Sequence, residues 1–237
     1  MRISQRTHQG LVCASNQDSL LVAQGVYGVA DGMGGHQGGE TASRVAVQVL
    51  KNALIGKKPE PRALELGIEA ANRRIYEMAR HDASLSGMGT TVTLLWEDEA
   101  QLFIAHVGDS RAYRLRGGEL TQITEDHSIV AELMRNKVIT PEMARTHPYR
   151  NVITRAVGVD PTVTADVLCA DKQPNDVWLI CSDGLYNMVG DETMAHLLQD
   201  SQSDEEAADK LLSLALEAGG TDNISFVICR IAEVDGV

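Results

Sequence analysis

The sequence has no apolar run long enough to cross a membrane. Its longest purely apolar stretches, such as VWLIC at 177–181, are far shorter than the roughly 20 residues that span a bilayer as a helix. The first ten residues, MRISQRTHQG, carry charge and contain no apolar core of signal-peptide length. We therefore expect a soluble, cytoplasmic protein with no membrane partner.

Paired cysteines are also missing. The four cysteines, Cys13, Cys169, Cys181 and Cys229, are widely separated, and no two of them form a C-x-x-C motif. This spacing argues against a disulfide framework and against a structural zinc site. We expect all four to be reduced thiols.

Basic residues are too few to form a strong positive field. The chain has 21 Lys and Arg residues against 33 Asp and Glu residues, which gives a formal net charge of −12. We find no local basic patch, so we expect no nucleic-acid partner. The acidic excess fits both a solvated surface and a set of cation ligands, and composition alone does not separate the two.

No segment has the composition of a linker. Pro/Ser-rich and low-complexity stretches are absent, no repeat is visible, and six prolines are scattered along 237 residues. We therefore expect a single domain covering 1–237. The least regular part is 126–155, which joins a helical HSIVAELMRNK to a polar TPEMARTHPYRN and is interpreted as a flap or insertion.

The strand pattern favours antiparallel sheets. Val, Leu, Ile, Thr and Tyr dominate 18–30 and 90–124, where the turn sequences QG and RGGE indicate hairpins. Further strands are predicted at 163–170, 176–181 and 224–231. Strands linked by short hairpins and alternating with helix pairs favour antiparallel sheets covered by helices.

Three helical regions accompany these strands. Apolar residues recur at helical spacing over 42–53 and 64–78, which predicts two long amphipathic helices. A third region covers roughly 191–218. It contains a second helix start at Ser203, with Glu206 three residues later as a capping-box partner.

Four aspartates lie at the ends of predicted strands. Asp31 follows VYGVA, Asp109 follows LFIAHVG, Asp183 follows VWLICS, and Asp222 precedes NISFVICRI. One such aspartate is more often a turn former or a helix cap. If all four converge, however, they need cations or raised pKa values to coexist, and hard oxygen ligands select Mg²⁺ or Mn²⁺ over zinc. The pattern predicts a metal cluster.

The glycine-rich stretch VADGMGGHQGGE at 29–40 fits the same hypothesis. Bare backbone after Asp31 lets its carboxylate reach two metals and leaves the carbonyl of Gly32 as a further oxygen ligand. Two nucleotide-binding patterns fail on spacing: GMGGHQGG lacks the lysine of G-x-x-x-x-G-K-[ST], and G-x-G-x-x-G read from Gly32 meets Gln37 at its last glycine.

Six motifs occur in order along nearly the whole chain. They are NQDS at 16–19, VADGMGGHQGGE at 29–40, GMGTTV at 87–92, HVGDSRAY at 106–113, ICSDGL at 180–185 and GGTDNISFV at 219–227. Together they resemble the bacterial form of the metal-dependent Ser/Thr protein phosphatases of type 2C, the PPM family. The resemblance implies an α+β fold, a four-layer α-β-β-α sandwich of two antiparallel sheets flanked by helices.

The resemblance also implies a reaction and a ligand set. The reaction is hydrolysis of phosphoserine or phosphothreonine in proteins by a metal-bridging hydroxide at a binuclear Mn²⁺ or Mg²⁺ centre, reversing a bacterial Ser/Thr kinase. Asp31 would bridge the two metals, with Gly32 on the second and Asp183 and Asp222 completing the first. Asp109, together with Asp183, matches the place of a third ion.

Two further residues match catalytic positions of the family. Asp18 matches the second acid of the N-terminal motif, which supports the water shell of the metals. His36 lies in the glycine loop and is a candidate general acid, although a hydrogen-bonded structural role is equally compatible. We expect His106 to be packed inside the protein, and His127 and His147 to be either substrate contacts or plain surface residues.

Cys13 departs from the family pattern. The family's phosphate-binding arginine is expected at this position, and its loss removes a charge-assisted contact worth roughly 1.5–3 kcal/mol. A cysteine-dependent phosphatase is excluded, because no cysteine is followed six residues later by the arginine of a C-x5-R loop. Cys13 is interpreted as a small apolar filler or as a redox-sensing thiol.

Two alternative functions remain open at this point. A phosphatase-like regulatory binding module with weak or no catalysis is supported only by Cys13. A metal-dependent nuclease or other phosphodiesterase is disfavoured by the negative charge. For the phosphatase, we expect phosphorylated protein substrates, a cognate Ser/Thr kinase acting on the same targets, and a monomeric state.

Overall fold

A computed structural model of the chain describes residues 1–34 and 38–232, without the side chain of Arg145. In these residues, two antiparallel sheets are stacked between two layers of helices. The strands are β1 (Arg2–His8), β2 (Asp18–Ala23), β3 (Val26–Met33), β4 (Gly89–Thr90), β5 (Val92–Glu97), β6 (Gln101–Val107), β7 (Arg111–Arg116), β8 (Glu119–Gln122), β9 (Asp166–Asp171), β10 (Val177–Cys181) and β11 (Ile224–Arg230). The helices are α1 (Gly38–Leu54), α2 (Pro61–His81), α3 (Ile129–Arg135), α4 (Pro141–Arg145), α5 (Asp183–Tyr186), α6 (Asp191–Asp200) and α7 (Asp204–Glu217).

Strand order determines which motifs meet. One sheet has the order β1-β11-β10-β7-β8, and the other has the order β2-β3-β5-β6-β9, with β4 paired to β3. In the first sheet, β11 lies between β1 and β10, so the last described strand is central and the first is an edge. The motifs at 180–185 and 219–227 therefore lie on neighbouring strands.

Three hydrophobic cores hold the layers together. Ile68 of α2 and Leu94 of β5 belong to the core between the first helical layer and its sheet. Leu211 of α7 and Phe226 of β11 belong to the core between the other helical layer and the other sheet. Trp178 belongs to the core between the two sheets. This is the predicted four-layer α-β-β-α sandwich, and the fold prediction is confirmed.

Strand β10 is covered on both faces, which accounts for its apolar sequence. Val177, Leu179 and Cys181 belong to the core under the helices, whereas Trp178 and Ile180 belong to the core between the sheets. Because both faces of the strand are covered, all five residues are apolar and buried. The run VWLIC is a doubly covered strand.

The predicted helices are present, with one correction. Helices α1 and α2 contain the predicted stretches, and the third region contains α6 and α7, the second of which starts after Ser203 as predicted. Ser203 caps α7, accepting a hydrogen bond from the Glu206 amide at 3.1 Å. The Glu206 carboxylate accepts from the Gln202 amide at 2.7 Å, and not from Ser203 as a capping box requires. Within the described part of the chain, no helix combines the length and the apolar character needed to pass through a bilayer.

The segment 126–155 contains α3 and α4, the second of which forms within the stretch that appeared only polar in the sequence. Its two ends are joined by a β-bridge between Ser128 and Ile153, and the Thr154 amide donates to the His127 carbonyl at 2.8 Å. Asn151 and Ile153 then reach a cleft at one end of the sandwich.

Candidate metal centre

A cleft of about 570 Å³ contains every predicted metal ligand. Asp31, Gly32, Asp109, Asp183 and Asp222 all belong to its lining. No Lys or Arg is found among the lining residues in the part of the chain that the structure describes. The cleft therefore concentrates negative charge without a neutralising side chain.

Asp31 is held rigidly at the end of β3. Its amide donates to Thr91 Oγ1 at 3.0 Å, and its carbonyl accepts from the Thr91 amide and from Thr90 Oγ1, both at 2.8 Å. Burial raises the pKa of the Asp31 carboxyl well above its usual range, and repulsion from Asp18 and Asp183 adds to this effect. Asp31 is thus a carboxylate in need of a counter-ion.

Gly32 is glycine because the backbone is crowded there. A Cβ at this position would overlap the carbonyl oxygens of Gly39 and Gln17. The Gly32 amide already donates to the Gln17 carbonyl at 3.2 Å. Only bare backbone allows α1 to begin so close to β3 and leaves the Gly32 carbonyl at the cleft.

Asp183 opens α5 and contacts the next motif. A Cβ at Gly184, its neighbour, would overlap the carbonyl oxygen of Asn223, so the turn after β10 packs directly on the turn before β11. Burial raises the pKa of Asp183 well above its usual range, and repulsion from Asp109 and Asp222 acts in the same direction. The strand ends therefore place these acids together, as the sequence pattern predicted.

Asn223 fixes the loop that carries Cys13. Its side-chain oxygen accepts from the Gln17 amide at 2.7 Å, and its Nδ2 donates to the carbonyls of Gln9 and Ser15 at 2.8 and 2.9 Å. Its own amide donates to Asp222 Oδ1 at 2.7 Å. We did not identify Asn223 from the sequence, where it resembles an ordinary turn residue within T-D-N.

Asp18 lies behind the cleft, directly opposite Asp31 in the register of β2 and β3. It is 8% exposed, its Oδ2 accepts from Ser182 Oγ at 2.8 Å, and its Oδ1 is buried without a protein partner. Burial is the main cause that raises the pKa of Asp18 to about 7, with repulsion from Asp222 contributing. Ser182 is a further site residue that the sequence did not reveal.

Asp109 is supported by a cluster that sequence reasoning also missed. The Tyr186 hydroxyl donates to the Asp109 carbonyl at 2.9 Å, and the Arg111 guanidinium lies 3.7 Å from the centre of the Tyr186 ring. Arg111 also forms a bidentate pair with Asp126, with Nε–Oδ1 at 3.0 Å and Nη2–Oδ2 at 2.7 Å. Burial, with repulsion from Asp126, raises the pKa of Asp109 to about 6.

These residues fit divalent metal ions with oxygen ligands. Carboxylates with raised pKa values surround one cleft, and an oxygen of Asp18 is buried without a partner. Over residues 1–34 and 38–232, however, no three His, Cys, Asp or Glu side chains form a group that could hold an ion by themselves. The donors that line the cleft are carboxylates and the Gly32 carbonyl, which are hard oxygen ligands of the kind that Mg²⁺ and Mn²⁺ take.

The histidines differ from one another. His36 lies outside the described residues, so its suggested role stays a prediction. His106 is fully buried, as predicted, and its ring contacts Thr93 Oγ1 at 2.8 Å. The prediction that His127 is a surface residue was wrong, since it is 8% exposed and its Nδ1 accepts from the Gly108 amide at 3.0 Å, whereas its alternative role as a substrate contact stays a prediction.

Cys13 lies at the mouth of the cleft, half-buried. Its thiol donates to Asp222 Oδ1 at 3.4 Å and contacts the Thr221 carbonyl at 3.7 Å. Burial and the neighbouring Asp222 both raise the pKa of the Cys13 thiol.

Comparison with known proteins gives a consistent result. A family model described as "Protein phosphatase 2C" matches residues 5–217. The chain is 38% identical to serine/threonine protein phosphatase PstP of Mycobacterium tuberculosis, over 99% of this chain and 46% of PstP. It thus spans about half the length of that relative. It is also 38% identical to serine/threonine phosphatase stp of Listeria welshimeri, over 96% of this chain and 95% of stp.

Solved structures agree with the sequence matches. The catalytic domain of PstP in complex with two manganese ions superposes with a TM-score of 0.90 at 36% identity, covering 98% of both chains. These matches agree with the predicted family, and they do not favour the binding-module alternative. The chain belongs to the protein phosphatase 2C family of serine/threonine protein phosphatases.

Proposed function

We propose that this chain removes phosphate from phosphoserine and phosphothreonine in proteins, at a centre of two Mn²⁺ or Mg²⁺ ions with a place for a third. The observation that carries the proposal is the convergence of Asp31, Asp109, Asp183 and Asp222 on one cleft that has no basic side chain in its described lining. An anionic phosphate would be repelled from such a cleft unless cations reverse its charge.

The proposed ligands are Asp31, Asp183, Asp222 and the Gly32 carbonyl, with Asp109 and Asp183 at the third position. The ions, when bound, supply the Lewis acidity that lowers the pKa of water and neutralises charge on the phosphoryl oxygens. The chain positions these ligands through close backbone packing at Gly32 and Gly184.

Other residues orient the reactants. Asp18, held by the Ser182 hydroxyl, would support the water shell of the ions. Cys13 offers only a thiol where a guanidinium would grip the phosphate, so substrate binding depends more heavily on the ions. His36 remains the candidate for protonating the leaving group.

Several finer features belong to this proposal. We take 1–237 as one phosphatase domain, with 126–155 as a flap over the cleft. The substrates would be targets of a cognate Ser/Thr kinase in the cytoplasm, and the enzyme would act as a monomer. The regulatory-module alternative rests on Cys13 alone and has no support among the named relatives.

The test is hydrolysis of p-nitrophenyl phosphate and a phosphothreonine peptide in EDTA, Mg²⁺ and Mn²⁺. Asp183→Asn is compared with Asp200→Asn, the same change at an exposed position at the end of α6. We expect metal-dependent turnover that Asp183→Asn abolishes and Asp200→Asn retains. Turnover that persists in EDTA would refute the metal mechanism, and no turnover in any metal would refute the enzyme.

A further inference from the structure

Exposed apolar side chains are concentrated around the cleft. Ten large hydrophobic residues are exposed in the described part of the chain, and five of them lie beside cleft-lining residues. We call these five the apolar rim: Leu11, Val12, Tyr149, Val152 and Val159. Single exposed apolar residues are ordinary, but a group around a concave site marks a binding surface.

One side of the rim is the loop before β2. Val12 is 70% exposed and Leu11 is 65% exposed, immediately before Cys13 in the cleft lining. The Leu11 amide donates to the Gly220 carbonyl at 2.7 Å, and Asn223 holds the same loop at Gln9 and Ser15. The backbone is therefore fixed while these two side chains face solvent.

The other side is provided by the segment 126–155. Tyr149 and Val152, which are 57% and 41% exposed, flank Asn151, a residue of the cleft lining. The Val152 carbonyl accepts from the Ile129 amide at 3.0 Å, and its amide donates to the Tyr149 carbonyl at 3.1 Å. The chain thus presents these apolar side chains at a fixed place beside the cleft that Cys13 also lines.

Val159 continues the rim toward the floor of the cleft. A Cβ at Gly89 would lie 2.7 Å from Val159 Cγ2 and 2.9 Å from Met33 Cε, so both side chains pack over this glycine. Met33 itself lines the cleft. Val159 therefore lies beside a residue of the cleft lining.

The charge of the cleft indicates which residues of a bound peptide chain the apolar rim can accept. The lining offers carboxylates and no basic side chain within the described residues, so an acidic residue that reaches the lining finds no partner there. The exposed Arg150 lies between Tyr149 and Asn151, and the Glu-flanked peptide measures its effect. The ions would neutralise the acids of the lining, which leaves little local attraction for basic residues as well. Apolar side chains are the flanking groups that the rim can desolvate.

We infer that the apolar rim is the docking surface for the substrate chain on either side of the phosphorylated residue, and that it selects phosphosites flanked by aliphatic or aromatic residues. This inference rests on the proposed function, and it names the substrate class of that site. The five residues are specificity determinants and not catalytic residues.

The experiment uses three phosphothreonine peptides of equal length, flanked by Leu and Val, by Glu, or by Lys. The kcat/KM of each peptide is divided by that of p-nitrophenyl phosphate, at about 0.5 M NaCl to screen long-range charge. The apolar-flanked peptide should exceed both others about fivefold. Val12→Ser and Val152→Ser should each lower the ratio of the apolar-flanked peptide about fivefold, which corresponds to about 1 kcal/mol. The control Leu66→Ser, at an exposed position on α2, should leave this ratio unchanged.

A second measurement keeps the two proposals separate. The Kd of the fluorescein-labelled, dephosphorylated apolar peptide is measured by anisotropy, so it requires no turnover, and Val12→Ser should raise it about fivefold. Failure to hydrolyse p-nitrophenyl phosphate would refute the proposed function, while the Kd comparison would still decide the rim. Equal ratios for the three peptides, or an unchanged Kd in Val12→Ser and Val152→Ser, would overturn the inference.

Discussion

Replacing Asp18 by Asn should stabilise the metal-free protein while damaging the enzyme. Asp18 is buried beside other carboxylates, and its pKa is about 7 against an ordinary value of 3.8. Above pH 7 the folded protein must therefore keep a charge that its surroundings disfavour. Asparagine has no charge, and its side-chain oxygen can still accept from Ser182 Oγ.

The magnitude follows from the pKa difference. About three pKa units at 1.36 kcal/mol each correspond to about 4 kcal/mol of destabilisation that the ionised Asp18 imposes at alkaline pH. The new amide group replaces Oδ1, which has no protein partner, and an unmatched donor costs about 1–3 kcal/mol. We therefore expect a net gain of about 1–3 kcal/mol in the free energy of unfolding.

The pH dependence identifies the cause. Because the folded pKa of Asp18 is raised, its favourable contribution is complete below about pH 4 and is lost as the pH rises through about 7. The gain from Asp18→Asn should thus be present at about pH 8 and replaced at about pH 4 by a loss of about 1–3 kcal/mol, which is the cost of the unmatched donor. In Mn²⁺, the stabilisation by metal should be smaller in the variant than in the parent.

The assay is urea unfolding in EDTA, followed by the fluorescence of the buried Trp96 and Trp178. Asp200→Asn is the matched control, and as a surface substitution it should change the free energy of unfolding by less than about 0.5 kcal/mol. An equal gain in the free energy of unfolding at pH 4 and pH 8, or no gain at pH 8, would refute the argument that the ionised Asp18 destabilises the metal-free protein.

Three further predictions concern other parts of the site. Cys13→Arg should raise kcat/KM for a phosphothreonine peptide about 10- to 150-fold by restoring a charge-assisted contact, and a null or opposite effect would show that another group holds the phosphate. His106 has its pKa lowered by burial to about 3, so its neutral form stabilises the fold above about pH 6.5 and this contribution is lost as the pH falls toward 3. In urea titrations, His106→Gln should flatten this acid-side loss, and an unchanged slope between pH 4 and 6.5 would contradict the argument. Gly32→Ala should destabilise the protein by several kcal/mol, because the new Cβ would overlap the Gly39 carbonyl. Gly190→Ala has open space around its Cβ and should change the urea midpoint of unfolding little. Equal urea midpoints for the two variants would contradict the overlap argument.

Periodicity and strand ends were sufficient to predict much of the fold. The run at 177–181 and the amphipathic stretches of α1 and α2 have the patterns that doubly covered strands and half-covered helices require. The convergence of the four aspartates was predictable because each follows or precedes a strand at a turn. In contrast, β1 has polar residues along most of its length and only Ser4 buried, so no hydrophobic alternation marks this edge strand.

The supporting residues of the site could not be predicted in the same way. Ser182, Asn223 and the Arg111–Asp126 pair act through contacts between segments far apart in sequence. Polar residues at turns have the same local pattern whether they face solvent or hold another loop. His127 was misplaced for this reason, because its polar neighbours in EDHS suggest exposure, whereas its ring packs 4.6 Å from that of His106.

The central position of β11 has a consequence during synthesis on the ribosome. Its strand neighbours, β1 and β10, emerge much earlier, and Asn223 must arrive before the loop with Cys13 is fixed. Until then, two strand edges lack their partner and are exposed to wrong pairing. The nascent chain should therefore remain without a complete cleft until β11 has left the exit tunnel.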